Sequence, residues 1–279
     1  MMSTDRDEDV PPLLNEALAL AQRRGDRFWE AALLAGLAED ERLRGEWDAA
    51  LERALDLVAG SPRLDSTLAS VAGVAARIHI DRADSEAGRA VLAALPSSTD
   101  TTDVQLRGLA YWRRQLEAEL EGRFDDAFEP IADSIVDSAD LVPTSVLAEL
   151  LRDAATYATL TGNHVAALDV AARIDALPAT IHVRALDSQL HRLRANAAAS
   201  AGDEDAAVEA YAISLATARN LAYPFWLAPV LADYGAWLQS LGRTDDAAPL
   251  LREARELFEA MGAIVWLRRL DALAPTPTV

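Results

Sequence analysis

The apolar residues along the chain recur at three- and four-residue intervals, and short polar or glycine-containing breaks separate the runs. FEPIADSI, LDVAARI and VEAYAISLA are examples of such runs. This spacing is the period of one helix face. Glycine and proline are scarce and lie mainly between the runs, unlike the frequent turns of a β-sandwich. The pattern predicts an all-α protein.

The breaks divide the chain into a first helix, six helix pairs and a last helix. We expect the first helix from Leu13 to Arg24 and the last over 264–274. The pairs are expected at 27–59, 66–95, 104–138, 144–177, 181–222 and 224–261. We therefore predict one superhelical domain over 11–274, between a disordered acidic N-terminus (1–10) and a disordered tail (275–279).

A glycine followed five residues later by an alanine recurs at intervals of 40 residues in the second half of the chain. The occurrences are Gly45–Ala50, Gly122–Ala127, Gly162–Ala167, Gly202–Ala207 and Gly242–Ala247, with Arg82–Ala87 as a variant that lacks the glycine. Glycine adopts the left-handed conformation that ends many helices at little cost. A small alanine is expected where two antiparallel helices cross closely, because a larger side chain would separate them. The repeat predicts helix–turn–helix units that stack into a solenoid.

These residues resemble the tetratricopeptide repeat family, whose second helix carries a glycine, an aromatic residue two positions on and an alanine five positions on. Gly45-Trp47-Ala50 and Gly122-Phe124-Ala127 match these positions and match the longer signature in part, and Leu231, Tyr234, Gly235 and Leu238 match the first helix. The 40-residue repeat is longer than the family's usual 34. It is similar to the helical arms of bacterial signal-transducing NTPase and LuxR-type regulators, although no GxxxxGK[ST] loop occurs. The resemblance implies a right-handed α-solenoid whose first helices form a concave binding wall.

Composition and charge limit the kinds of molecule that the chain is expected to bind. The chain has 45 acidic and 26 basic residues and a net charge of −19, which repels phosphate backbones, so general nucleic-acid binding is not expected. The N-terminal sequence MMSTDRDEDVPP lacks the pattern of a secretory signal, and no apolar stretch is long enough to span a membrane. We expect a cytoplasmic protein without a membrane partner.

The sequence contains no arrangement of residues typical of a catalytic site. Cysteine is absent, so thiolate chemistry and Cys-ligated metals are excluded. The four histidines lie in different predicted helices or turns and form no metal-binding motif. Acidic pairs such as Asp125–Asp126 lie at predicted helix N-termini, where the helix dipole favours carboxylates. We expect no enzymatic activity, cofactor or metal.

The resemblance also implies which residues line the concave wall. Mapped onto the 40-residue repeat, the partner-binding candidates are Trp112, Arg152, Thr156, Gln189, Arg192 and Asn196. Members of the family that grip a peptide carboxylate use a basic residue and an asparagine, and Arg192 with Asn196 resembles that pair. Arginine offers a planar fork suited to carboxylates. The alternative is that these residues are ordinary solvated or salt-bridging groups, and Asp233 stands where the family has a second asparagine.

The register of the wall has two alternatives in pairs three and five. In pair five the apolar stripe Leu186, Leu190, Leu193 and Ala197 runs one residue out of the frame that the family implies. The function predicted from the resemblance is that of a protein- or peptide-binding scaffold or adaptor that uses the concave face. The alternative is a ligand- or peptide-sensing regulatory protein that works with a separate NTPase or transcription factor. Apolar faces at the ends of the solenoid would allow a homodimer.

Overall fold

Short turns connect α-helices throughout the described part of the chain. The structure is a computed structural model that describes residues 10–60, 66–138, 144–178, 182–221 and 223–273. These residues form fourteen α-helices and no β-strand. The helices are α1 (Val10–Arg24), α2 (Arg27–Leu43), α3 (Trp47–Ala59), α4 (Ser66–Asp81), α5 (Ser85–Leu92), α6 (Val104–Leu120), α7 (Phe128–Ser138), α8 (Thr144–Thr161), α9 (His164–Asp175), α10 (Arg184–Ala201), α11 (Glu204–Leu221), α12 (Pro224–Ser240), α13 (Thr244–Met261) and α14 (Ile264–Leu273).

The predicted all-α solenoid is confirmed, with six helix pairs from α2 to α13 and flanking helices α1 and α14. The first helix begins at Val10, earlier than expected, because the two prolines that follow are tolerated in a first turn. The other residues predicted to be disordered, 1–9 and 275–279, lie outside the described residues. None of the described helices is both long and apolar enough to cross a membrane.

The repeated glycine has the left-handed conformation expected of it. Its φ angle is +82° at Gly45 and +78° at Gly202. At Gly202 this conformation lets the next N–H, that of Asp203, donate to the Ala198 carbonyl at 3.0 Å and so closes the end of α10. The alanine five residues on is buried in each of these repeats, as at Ala50 and Ala207. Each glycine–alanine repeat therefore specifies both a turn and a close helix crossing.

In pair two the turn lies one residue later than the sequence repeat suggests. Ala83, not Arg82, has a positive φ of +60°. Five residues on, Gly88 and not Ala87 is buried at the helix crossing, where a Cβ would lie 3.2 Å from Ile80 Cγ1. The assignment of Arg82 and Ala87 is thus wrong by one residue. Alanine tolerates the left-handed turn at a cost of about 1–2 kcal/mol, whereas a Cβ at the crossing would require Ile80 to shift by a few tenths of an ångström.

The stack curves until its C-terminal end meets its N-terminal part. Helix α12 contacts α2, and α14 contacts α4. The Tyr223 hydroxyl donates to Asp40 Oδ1 at 2.9 Å across this seam. Met261 also packs against Gly45, where an added Cβ would lie 2.9 Å from Met261 Cγ. The first helices of the pairs therefore enclose an interior.

Trp112 packs against Gly73, and this contact holds α6 to α4. A Cβ on Gly73 would lie 2.0 Å from Trp112 Cζ3. We expect Gly73→Ala to lower the free energy of unfolding by about 1–3 kcal/mol through overpacking, although alanine normally stabilises a helix relative to glycine. Thermal unfolding followed by circular dichroism measures the change. Adding Trp112→Leu should recover part of the loss, and unchanged stability of Gly73→Ala would contradict the contact.

Candidate functional site

Four buried arginines lie inside the described part of the solenoid, each on a different first helix. They are Arg42 of α2, Arg77 of α4, Arg152 of α8 and Arg192 of α10, and none is more than 2% exposed. A buried charge without a partner is very costly, so each guanidinium requires carboxylates or aromatic faces around it. Most of the partners come from other first helices, and we call this set the arginine network.

Arg42 and Arg77 tie the N-terminal pairs to α8. Arg42 Nη2 donates to Glu149 Oε2 at 2.8 Å. Arg77 donates to Glu119 Oε2 of α6 at 2.7 Å and to Asp153 Oδ2 of α8 at 2.8 Å. Charge-assisted hydrogen bonds of this length are the strong kind. Helices α2, α4, α6 and α8 are thereby joined through side chains that face the interior.

Arg152 lies at the centre of the interior. It donates to Asp153 Oδ1 at 3.0 Å and to Asp81 Oδ2 at 3.3 Å. Its guanidinium also lies 4.1 Å from the ring centroid of Phe225 and 5.3 Å from that of Trp266. Stacking on aromatic faces suits arginine because its planar cation is weakly hydrated. Arg152 therefore links α8 to α4, α12 and α14.

Arg192 and Asn196 hold a carboxylate of the chain itself. Arg192 Nε and Asn196 Nδ2 both donate to Asp233 Oδ2 of α12, each at 2.8 Å. Arg192 Nη2 also donates to Thr156 Oγ1 at 3.0 Å. The pair that resembles the family's carboxylate grip thus surrounds a carboxylate, and the aspartate that departs from the family's pattern supplies it.

Five of the predicted wall residues face the interior together. Arg152, Thr156, Gln189, Arg192 and Asn196 lie on α8 and α10 and are each at most 6% exposed. In pair five the wall residues lie at the positions that the family pattern implies. Leu186, Leu190 and Leu193 lie beside them on the helix and are buried among other apolar side chains. All five wall residues are enclosed, and Arg152 and Arg192 form ion pairs between helices. Their contact with a partner stays a prediction.

In pair three, the residues of α6 that face the interior are shifted from the positions that the family pattern implies. Trp112 is half-buried between α6 and α4 and packs against an apolar cluster that includes Leu116. Gln115 reaches the interior together with Glu119, and the Gln115 Nε2 donates to Asp153 Oδ2 at 2.6 Å. Partner binding by Trp112 stays a prediction, and the structure gives this side chain a packing role.

Arg77 is the functional-site residue that the sequence pattern could have identified. It is a single cation inside the apolar run VAGVAARIHI, and its side chain is 2% exposed. Such a residue in a predicted buried helix must have a charged partner. The pattern does not show which one, because Glu119 and Asp153 lie in later repeats.

No protein-family model matches the sequence, and no curated protein matches it. The structure is similar to the crystal structure of a Rap protein complexed with competence and sporulation factor. The TM-score is 0.57 and the sequence identity is 15%, over 83% of this chain and 66% of that one. The chain thus spans slightly less than two thirds of that protein's length. The fold is a tetratricopeptide-like helical repeat. At this identity the likeness extends to the fold alone.

The arginine network should make stability depend on pH. Burial, opposed by Arg77 and Arg152, raises the pKa of Asp153 to about 6 from 3.8. The folded state then binds this proton more tightly than the unfolded state, so the carboxyl favours folding most at low pH. Its contribution falls as pH rises from about 4 to about 6, by up to about 3 kcal/mol. Chemical denaturation across that pH range measures the free energy of unfolding of the wild type and of Asp153→Asn. We expect this free energy to decline less for Asp153→Asn, and an equal decline in both proteins would contradict the raised pKa.

Arg192 should be essential for stability. We expect Arg192→Ala to lower the free energy of unfolding by about 3–5 kcal/mol, because Asp233, whose side chain is only 13% exposed, would remain in the interior without its cation. Arg194→Ala is the matched control, since Arg194 is 38% exposed and pairs with Asp175 at the surface. Such surface pairs contribute at most about 1 kcal/mol. Urea titrations of both variants give the comparison, and similar losses would show that the Arg192 pair is not a buried anchor.

Proposed function

We propose that the chain binds a peptide, or a peptide segment of a protein, on the concave side of the solenoid and acts as a scaffold or adaptor. The observation that carries this proposal is the carboxylate held by Arg192 and Asn196 inside a helical repeat. The similar Rap protein was crystallised with competence and sporulation factor. A ligand carboxylate that replaced Asp233 would find its hydrogen-bond donors already oriented.

The charge of the chain restricts the kind of peptide. Replacing one carboxylate by another leaves Arg192 paired, so the exchange requires no new buried cation. A net charge of −19, however, repels a peptide that is acidic overall. A neutral or basic peptide that presents a single carboxylate, such as its C-terminus, therefore fits best.

A regulatory role is the second candidate. The wall residues are enclosed, so a ligand enters only if the solenoid rearranges, and a ligand with different affinities for two states shifts the balance between them. On this proposal the chain is a cytoplasmic, noncatalytic sensing arm, similar to those of LuxR-type regulators, and transmits the change to a separate NTPase or transcription factor. It acts without binding nucleic acid itself.

A peptide-display selection on the immobilised full chain tests the binding function. The enriched peptide is synthesised with a fluorescent label, and its Kd is measured by anisotropy. We expect Arg192→Lys to weaken binding about tenfold or more, because lysine keeps the charge but loses the fork geometry. Circular dichroism checks that the variant is folded.

Arg194→Ala, at the surface of the same helix, is the matched control and should bind as the wild type does. An amidated version of the peptide should bind more weakly than the free acid if its C-terminus replaces Asp233. Selection without any enriched peptide, or equal Kd values for all variants, would contradict the proposal.

A further inference from the structure

Helix α14 lies inside the curve of the solenoid. Trp266 is 5% exposed, and its ring stacks on Phe258 of α13 with centroids 5.2 Å apart. Its indole Nε1 donates to Asp81 Oδ1 of α4 at 3.3 Å. Trp266 thus reaches across the interior to a helix far away in the chain, which a helix that only covered the last repeat would not do.

The Trp266 ring lies among cations of the concave wall. The guanidinium carbons of Arg152 and Arg192 lie 5.3 and 5.9 Å from the ring centroid, and that of Arg269 lies 4.6 Å from it. Cations within about 6 Å of an indole face attract it, more strongly when water is excluded. Two members of the arginine network, one of which is the Arg192 of the proposed function, therefore already contact an aromatic group supplied by the chain itself.

The inward face of α14 has the pattern of a helix bound in a groove. Trp266, Arg269 and Leu270 are spaced at i, i+3 and i+4, and Leu270 is 7% exposed. Arg268 and Asp271 on the other face are exposed. Residues at this spacing share one face, and helices that dock in grooves use such anchors.

Some polar groups in the interior of the solenoid are also left unsatisfied. Arg77 Nε, Arg152 Nε and Gln115 Oε1 are buried without a hydrogen-bond partner among the described residues. Burial lowers the pKa of Arg269, although Glu119 and Asp81 oppose the shift. Unsatisfied buried polar groups are costly and uncommon in native structures. Of these groups, Arg152 Nε belongs to a guanidinium that contacts Trp266, so a ligand that supplied an acceptor there would gain a hydrogen bond that α14 does not make.

We infer that α14 is an exchangeable occupant of the concave groove, and that the groove accepts a helical segment carrying an aromatic residue and, three positions later, a cation. This rests on the proposed function and specifies its partner: the aromatic group would take the place of Trp266, and the cation would face Glu119 and Asp81. A carboxylate of the same segment could reach Arg192. The short connection at Gly262 and Ala263 keeps α14 at a high effective concentration, so the wild-type groove remains occupied until a stronger ligand enters.

The peptide AIVWLRRLDAL, which reproduces residues 263–273, is the probe. It is fluorescently labelled and titrated by anisotropy with the full chain as wild type, Trp266→Ala and Arg268→Ala. We expect Trp266→Ala to bind the peptide about tenfold or more tightly than the wild type, because its own helix has lost the main anchor. Arg268→Ala changes the exposed face and should match the wild type. A probe with alanine at the tryptophan should not bind.

Equal binding of the probe to wild type and to a folded Trp266→Ala variant would overturn the inference. Hydrogen exchange of the wild-type chain provides a second measurement, which does not depend on the variant's folding. We expect the amides of α14 to exchange faster than those of α10 and α12, since α14 opens by itself. Exchange of α14 only at the rate of global unfolding would also overturn it.

The two proposals fail in different ways. A peptide selected by display that binds while α14 keeps its protection from exchange would leave the binding function intact and overturn the role of α14. Binding of the probe to Trp266→Ala, with no peptide enriched by display on either protein, would support the groove and its occupant and contradict an external peptide partner.

Discussion

The four arginines buried inside the solenoid need counter-charges, and this need determines how the first helices are arranged. Arg77 alone contacts carboxylates on α6 and α8, so those helices cannot shift without leaving charge unpaired. Apolar packing of alanines and leucines supplies most of the driving force for the stack, but it tolerates sliding. Ion pairs with defined partners do not tolerate such sliding of one helix along another. The polar interior therefore gives the solenoid a specific curvature, at a cost in desolvation.

The buried polar groups of the interior also bear on the proposed binding function. A wall designed only for stability would pack better with apolar residues, since replacing buried ion pairs by hydrophobic groups is often neutral or stabilising. The arginine network keeps polar groups where a ligand could use them. Arg192 and Asn196 hold one carboxylate, and Arg152 contacts two aromatic rings, so the wall has sites for both kinds of group. Regulation is a natural use of a wall whose groups are paired internally until a competitor arrives.

The fold could be predicted from the sequence because its repeat is local. Each glycine–alanine phrase specifies a turn and a helix crossing within one pair, and repetition makes a weak signal strong. The exception in pair two shows the limit, since Ala83 and Gly88 exchange the usual residue types. The enclosure of the wall could not be predicted. Curvature accumulates from a small rotation at every repeat, and no single segment encodes that α12 will reach α2.

The residues of the candidate site could be predicted where the family's repeat pattern places them on the inner face of a helix. Contacts that join distant repeats could not be predicted in this way. Arg192 and Asn196 face the interior as the resemblance implies. Gln115 was missed because the implied frame selected Trp112 as the wall residue of pair three. The packing role of Trp112 depends on Gly73, and a tryptophan's own repeat does not show which residue it will meet in the preceding one. Asp233 looked like a defect in the binding pattern and is instead the partner of that pattern.

The seam between the two ends changes the way in which the repeats share stability. In a linear array the terminal units have one neighbour each and fray first. Here Tyr223 and Asp40 bring a late unit against an early one, so each end acts as a cap for the other. Fraying at either end then removes support from both, and the array gains the cooperativity of a closed chain. Such a molecule resists partial unfolding of its first and last helix pairs.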